Sequence, residues 1–202
     1  MTRLERGFKT RAERTAANIR GELGLDDHKP LDLWSLASFL EVQLKTPKEV
    51  AGMPTSALDQ LLVHDPQGWS AVSLTLGEKA VVIYNPRHSR ARQASDIAHE
   101  LSHFILSHEP AKLVVSADGQ MVMRSYNSKQ EEEANWLAWS LLAPREALLR
   151  AARQRMPPSE IAQLLGVSEA LVEYRLRITG IRAFLERNRS KHSSHNPKQP
   201  RL

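Results

Sequence analysis

The sequence predicts an α+β fold: a small, mostly antiparallel sheet beside a motif-bearing helix, followed by C-terminal helices of helix-turn-helix-like pattern. Three observations point there. Apolar residues recur at helical spacing near both ends of the chain. Two β-rich runs, "GWSAVSLTL" and "AVVIYN", are separated only by "GEK", as in a hairpin. Between them and the closing helices lies "SDIAHELSHFILSH", residues 95–108, with two histidines four apart. A chain of 202 residues can bury one core with a small appendage.

Taken in order, Leu4, Phe8, Ala12, Ala16, Ile19 and Leu23 predict a first helix, with Gly24 as its stop. "LDLWSLASFLEV" predicts a second, short helix, and "VQLKTP" a strand. The hairpin follows, and "NPRHS" turns the chain into a helix capped by Ser89 and running to about His108. "KLVVSADGQMVMRSY" predicts a second hairpin with Asp118-Gly119 at its turn. Helix returns in "QEEEANWLAWSLL", and "PREALLRAARQRM" starts another with proline at its first position. "PPSEIAQLLGVSEALVEYRLRITG" closes the ordered part as two short helices around Gly166.

Composition narrows the chemistry. With no cysteine, neither disulfides nor thiolate metal sites can form, so any metal must be held by histidine and carboxylate. The N-terminus lacks an apolar signal core and no apolar run approaches a membrane span, so a cytoplasmic protein is expected. The net charge of +5 comes from the end of the chain, where Arg187, Arg189, Lys191, Lys198 and Arg201 meet no acid. Without those five, residues 1–186 carry 23 basic against 23 acidic side chains. The Ser/Pro/Asn-rich segment 187–202 is therefore read as a disordered, solubilising tail.

Residues four apart share a helix face, so His99 and His103 can aim both rings at one ion. Glu100 is one step round, placed to hold a water beside the ion and act as catalytic base. A hydrolytic zinc site needs a third protein ligand. "EEEANWLAW" supplies Glu131, which shares a helix face with Asn135; the Asn135 amide oxygen can accept the free N–H of a ligating imidazole. Ala134 is small enough to bring this helix close, with Glu132 and Glu133 expected in solvent.

Other residues read more plainly. His108 falls about half a turn out of phase with His99, which suits a helix-end contact with carbonyls first, and next a supporting contact behind the ligands or a contact with substrate. His64 and His88 read as surface residues, and Trp34, Trp136 and Trp139 as core anchors. Tyr126 and Tyr84 are the phenols nearest the motif in sequence and are candidates for stabilising an oxyanion; spacing does not choose between them. The segment around Gly166 has a helix-turn-helix-like pattern, but residues 158–186 hold Glu160, Glu169, Glu173 and Glu186 against Arg175, Arg177 and Arg182. A face with that balance repels phosphates, so direct nucleic-acid binding is not expected.

These motifs resemble the ImmA/IrrE family of gluzincin-like metallopeptidases. "RGFKTRAERTAANIRGELGL" is similar to the family's first helix, and "ARQASDIAHELSHFILSH" to its active-site helix, including the trailing histidine. "EEEANWLAWSLLAP" resembles its Glu-x-x-Ala-Asn block, and "IAQLLGVSEALVEYRL" its closing helices. Leu137 and Ala143 stand where phenylalanine and methionine are usual, both apolar exchanges. The resemblance implies a zincin-like metallopeptidase domain over residues 1–156, a helical pair over 157–186 packed on it, and the tail beyond. It also implies an endopeptidase using one divalent ion, zinc or alternatively manganese, held by His99, His103 and Glu131. Its protein substrate would be a repressor of the XRE helix-turn-helix type, whose cleavage releases stress-response or mobile-element genes. A substrate strand is expected to add to the sheet edge near "AVVIYN". Two alternatives are a DNA-binding regulator using the C-terminal helices and a non-catalytic partner of toxin–antitoxin type.

Overall fold

A computed structural model describes residues 4–76, 79–108, 112–115, 121–124, 127–184 and 187, with backbone alone at 75–76, 112–115 and 121–124. It is α+β, as the sequence predicts. Helix α1 (Phe8–Glu22) buries Phe8, Ala12, Ala16 and Ile19, a stripe with two alanines at its middle, along which it lies against α5 (Ser128–Leu142). Gly24 follows in the left-handed conformation at φ 66°. In α2 (Leu33–Phe39) the Asp32 carboxylate accepts the Trp34 N–H at 3.0 Å, and the buried face is Leu33, Leu36 and Ala37. That face explains why Trp34 is no core anchor: one residue on from Leu33, it is turned outward and 55% exposed.

The main sheet holds β1 (Val42–Lys45), β2 (Ala71–Leu76) and β3 (Lys79–Tyr84) in the order β1-β3-β2. The hairpin pairing β2–β3 is antiparallel, while β1 runs parallel to β3. "AVVIYN" is therefore the central strand and not an edge, which overturns the expected place for a substrate strand. Its unbroken apolar run is the reason: Val81, Val82 and Ile83 are all buried, so both faces are covered. The parallel step from β1 requires a crossover. It is made in two stages: residues 46–70 carry the chain past the place of β3 through a 3-10 turn (Pro47–Glu49), α3 (Thr55–Asp59) and a π turn (Gln60–His64) that buries Leu62, and β2 then runs back antiparallel before β3 begins. The two turns and α3 are not predicted from sequence, because each is too short to show a period.

Among the described residues β1 and β2 are the two edges of the sheet, and the β2 edge is the one that reaches Glu100 through Ser73. Asn85 N–H donates to Ser70 C=O at 2.8 Å, so that pair is hydrogen-bonded across the ladder. Alternation then turns the N–H and C=O of Ala71, Ser73 and Thr75 outward, away from β3.

Helix α4 (Arg90–Ile105) starts where Ser89 Oγ accepts the Arg92 N–H, and it ends short of His108. Ser107 adopts φ 52°, rare for a non-glycine residue, and turns the chain back on the helix. A separate antiparallel pair, β4 (Lys112–Val115) and β5 (Met121–Arg124), follows; the Asp118-Gly119 turn lies outside the described residues. After α5 come α6 (Arg145–Arg153), α7 (Pro158–Leu165) and α8 (Glu169–Ile178), with left-handed Gly166 at φ 68° between the last two. Ile161, Leu165, Val167, Val172 and Leu176 are buried in the same core as α4 and α5, while Leu164 stays 40% exposed. Of segment 187–202, only Arg187 is among the described residues. No described helix is long and apolar enough to cross a membrane.

Two fully buried arginines secure the end of α5. Arg20 donates from Nη1 to Leu141 C=O at 3.0 Å, and from Nη2 to the carbonyls of Asp26, Asp27 and Lys29. Arg175 donates from Nε and Nη2 to Ala143 C=O at 3.1 and 3.0 Å and pairs with Glu13 at 2.6 Å. The carbonyls a helix end leaves unpaired are thus satisfied inside the protein. Arg20→Met keeps the apolar stem but strands several buried carbonyls, and should cost about 3–5 kcal/mol of stability in urea unfolding. A loss under ~1 kcal/mol would show that water can take the guanidinium's place.

Candidate metal centre

The centre lies where α4 meets α5. Ala98 and Leu101 on one helix and Ala134, Leu137 and Ala138 on the other are 0–1% exposed, and three of these five side chains are alanines. So little bulk lets the two backbones approach closely. The next faces round then oppose each other. His99 Nε2 lies 3.1 Å from Glu131 Oε2 and 3.1 Å from His103 Nε2, and His103 Nε2 lies 3.6 Å from Glu131 Oε1. Ligand atoms about 2.0–2.1 Å from a tetrahedral ion are separated by about 3.3 Å, so the spacing suits one zinc-sized ion.

Proton bookkeeping at the rings leads to the same place. His99 Nδ1–H donates to Asn135 Oδ1 at 3.0 Å, which leaves a lone pair on Nε2. His103 Nε2 points at the same spot, and burial, helped by His99 and His108, pushes this imidazole's pKa down to about 4. A ring neutral at ordinary pH, a second nitrogen lone pair and a carboxylate all converge. Such a set of acceptors has nothing to share among themselves and suits a cation. His99, His103 and Glu131 form the metal-capable group among the described residues.

Glu100 stands next to this group and outside it. Burial raises its pKa, opposed by hydrogen bonds from the Ser73 hydroxyl and N–H on β2 and by the nearby His99. It lines a cleft of about 310 Å³ together with Ser70, Ala71, Asp96 and His99. One wall of that cleft is thus the outward-facing edge of β2. A larger cavity of about 520 Å³ lies between residues 26–28 and α6 and contains none of the metal group.

The remaining candidates fall less close to expectation. His108 does not sit at a helix end facing carbonyls. The turn at Ser107 brings its Nδ1 to 3.0 Å from His103 Nδ1, and its Nε2 lies 3.3 Å from Glu133 Oε2. Glu133 is correspondingly not in solvent: its side chain is 12% exposed, less than the 32% of Glu131. Glu132 is half-buried. His88 is no surface residue either, since its ring is buried between the Asp96 carboxylate at 3.0 Å and the Asn85 amide at 3.3 Å. Asp96 precedes His99 by three and Glu100 by four, so the helix period could have placed it on the site face. Tyr84 packs edge-on against Trp34 and is not among the residues lining the cleft; Tyr126 lies outside the described residues.

A search of curated proteins finds no match. The family model Peptidase_M78, described as an IrrE N-terminal-like domain, matches residues 55–177. That stretch runs from α3 to the last turn of α8 and carries both helices that converge on the metal group. Because the match covers more than half of the chain, the protein belongs to the Peptidase_M78 family, the ImmA/IrrE group of metallopeptidases.

Proposed function

We propose that this metal-dependent peptidase is a cytoplasmic endopeptidase that cuts a protein, and that its substrate is a repressor of the XRE helix-turn-helix type. Cleavage would release stress-response or mobile-element genes. The observation that carries the endopeptidase reading is the juxtaposition at one cleft of His99 from the metal-capable group, the half-buried Glu100 carboxylate outside that group, and the β2 edge at Ala71. The repressor assignment rests on the family resemblance, with exposed Glu169 and Glu173 on α8 offering a docking face for a basic DNA-reading surface.

His99, His103 and Glu131 would hold the ion, with zinc first by its fit to nitrogen and oxygen ligands. When bound, such an ion polarises a carbonyl and acidifies water. The other roles belong to the chain. Asn135 orients the His99 ring by accepting its Nδ1–H. The outward N–H and C=O groups of Ala71 and Thr75, with the Ser73 C=O, can pair with an extended substrate and set its scissile bond beside Glu100, which keeps the Ser73 N–H. Glu100 takes a proton from the attacking water and returns it to the leaving amine. Burial favours its protonated form, which helps the second of these transfers.

One divalent ion per chain is expected by elemental analysis, and His103→Ala should lose most of it. Stoichiometric metal in a His99→Ala/His103→Ala double variant would sink the ligand assignment. Glu100→Gln should keep its metal yet cleave an XRE-type repressor at least ~10²-fold more slowly, followed by gel and mass spectrometry. Unchanged cleavage by that variant would place the base elsewhere; a wild-type enzyme that cuts model peptides but no repressor would remove the substrate assignment. Ala71→Pro deletes an outward N–H while leaving the β2–β3 ladder bonds in place. It should weaken kcat/KM by about 5–10-fold through KM, the worth of one hydrogen bond, with metal content and melting temperature near wild type.

A further inference from the structure

We propose that His108, held in turn by Glu133, is a positioning residue for the metal centre: it accepts the Nδ1–H of His103 and so fixes the His103 Nε2 lone pair toward the ion. The inference rests on the metal-centre reading above. The proton count follows from two distances. The Nδ1 atoms of His103 and His108 are 3.0 Å apart, so one of them carries the proton between them. A His103 that offers Nε2 to a metal must carry its proton on Nδ1 and donate it. His108 Nδ1 is then the acceptor, which puts the His108 proton on Nε2. There it meets Glu133 Oε2 at 3.3 Å. Every ring nitrogen in the chain has one role, and no alternative tautomer leaves both His103 Nε2 and Glu133 satisfied.

The site is built to make this contact. Ser107 holds a left-handed backbone at φ 52°, without which the chain would continue outward and not fold under His103. The side chains of His108 and Glu133 are only 7% and 12% exposed, and burying such groups is costly unless each finds its partner. Lys129 Nζ lies 3.9 Å from the other Glu133 oxygen and 2.8 Å from Glu5, so the line of contacts continues to the segment before α1. The two ligating rings are therefore supported unequally. His99 leans on a neutral amide, while His103 leans on an imidazole backed by a carboxylate, which makes it the more electron-rich donor.

The test is metal affinity of the full chain, measured by chelator competition with zinc and with cobalt, alongside the visible spectrum of the cobalt form. His108→Leu fills the space without an acceptor and should weaken binding by about 10–100-fold, with a shifted cobalt band. His108→Gln restores one acceptor and one donor at similar separation and should recover most of the affinity. Glu133→Gln should fall between, and Glu132→Gln should match wild type. Melting of the metal-free variants separates lost ligand support from lost fold. A metal-free His108→Leu that melts like wild type and binds cobalt as tightly would overturn the inference alone. Glutamine no better than leucine would reduce His108 to packing and overturn it too. Wild-type protein that takes up neither metal would overturn the metal-centre reading, and this inference with it.

Discussion

Everything at the centre depends on how closely α4 and α5 approach. Ala98, Ala134 and Ala138 are buried where the two helices meet and are too small to adjust, so the helix separation is set by backbone and not by rotamers. Glu131 reaches His99 and His103 only at that separation. Its register along the helix is held from the far end, where Arg20 and Arg175 grip the carbonyls of Leu141 and Ala143. A buried guanidinium is expensive to desolvate and is retained where several fixed acceptors surround it. Here the acceptors belong to α5, to the loop after α1 and, through Glu13, to α1 itself. The metal group thus sits at one end of a clamp whose other end is a pair of cations in the core.

The parts of this that could be read from sequence were those governed by a helix period. His99, Glu100 and His103, and Glu131 with Asn135, needed only the assumption of two helices, because side chains four apart must share a face. The strands were legible as strands, since β-branched runs bounded by turns have few other fates. Their order was not. The parallel step from β1 to β3 leaves no local mark, and the one local sign that "AVVIYN" is central is its unbroken apolar run, which a buried edge strand can also show. His108 was misplaced because its position depends on one left-handed residue, and serine does not announce that conformation as glycine would. His88 was misread for a similar reason. Its burial requires Asn85 and Asp96 to meet it from the chain on either side, a three-way contact with no spacing signature. Trp34 shows the converse error, where size suggested a core role and the helix period, followed strictly, would have put it outside.

The C-terminal helices are instructive about pattern and use. Their left-handed glycine and buried aliphatics match what a helix-turn-helix requires for packing. Those requirements come from the geometry of two short helices meeting at a turn, and DNA does not enter them. Arg175, basic and placed on the second helix, is fully buried on Ala143 and Glu13. A basic residue committed to the core cannot also serve as an electrostatic contact.

On the proposed strand pairing, the edge of β2 has a consequence for what such an enzyme can select. A strand edge recognises main chain, which all proteins share, and it can do so only after the visiting segment has let go of its own hydrogen bonds. The effective discriminator is then the free energy of local opening. Hinges, frayed termini and linkers enter easily, whereas the interior of a stable helix is protected by its own cooperativity even when its sequence would fit. Susceptibility becomes a property of the visitor's dynamics, and anything that tightens a linker, such as dimerisation or ligand binding, would act as protection without touching the cleft.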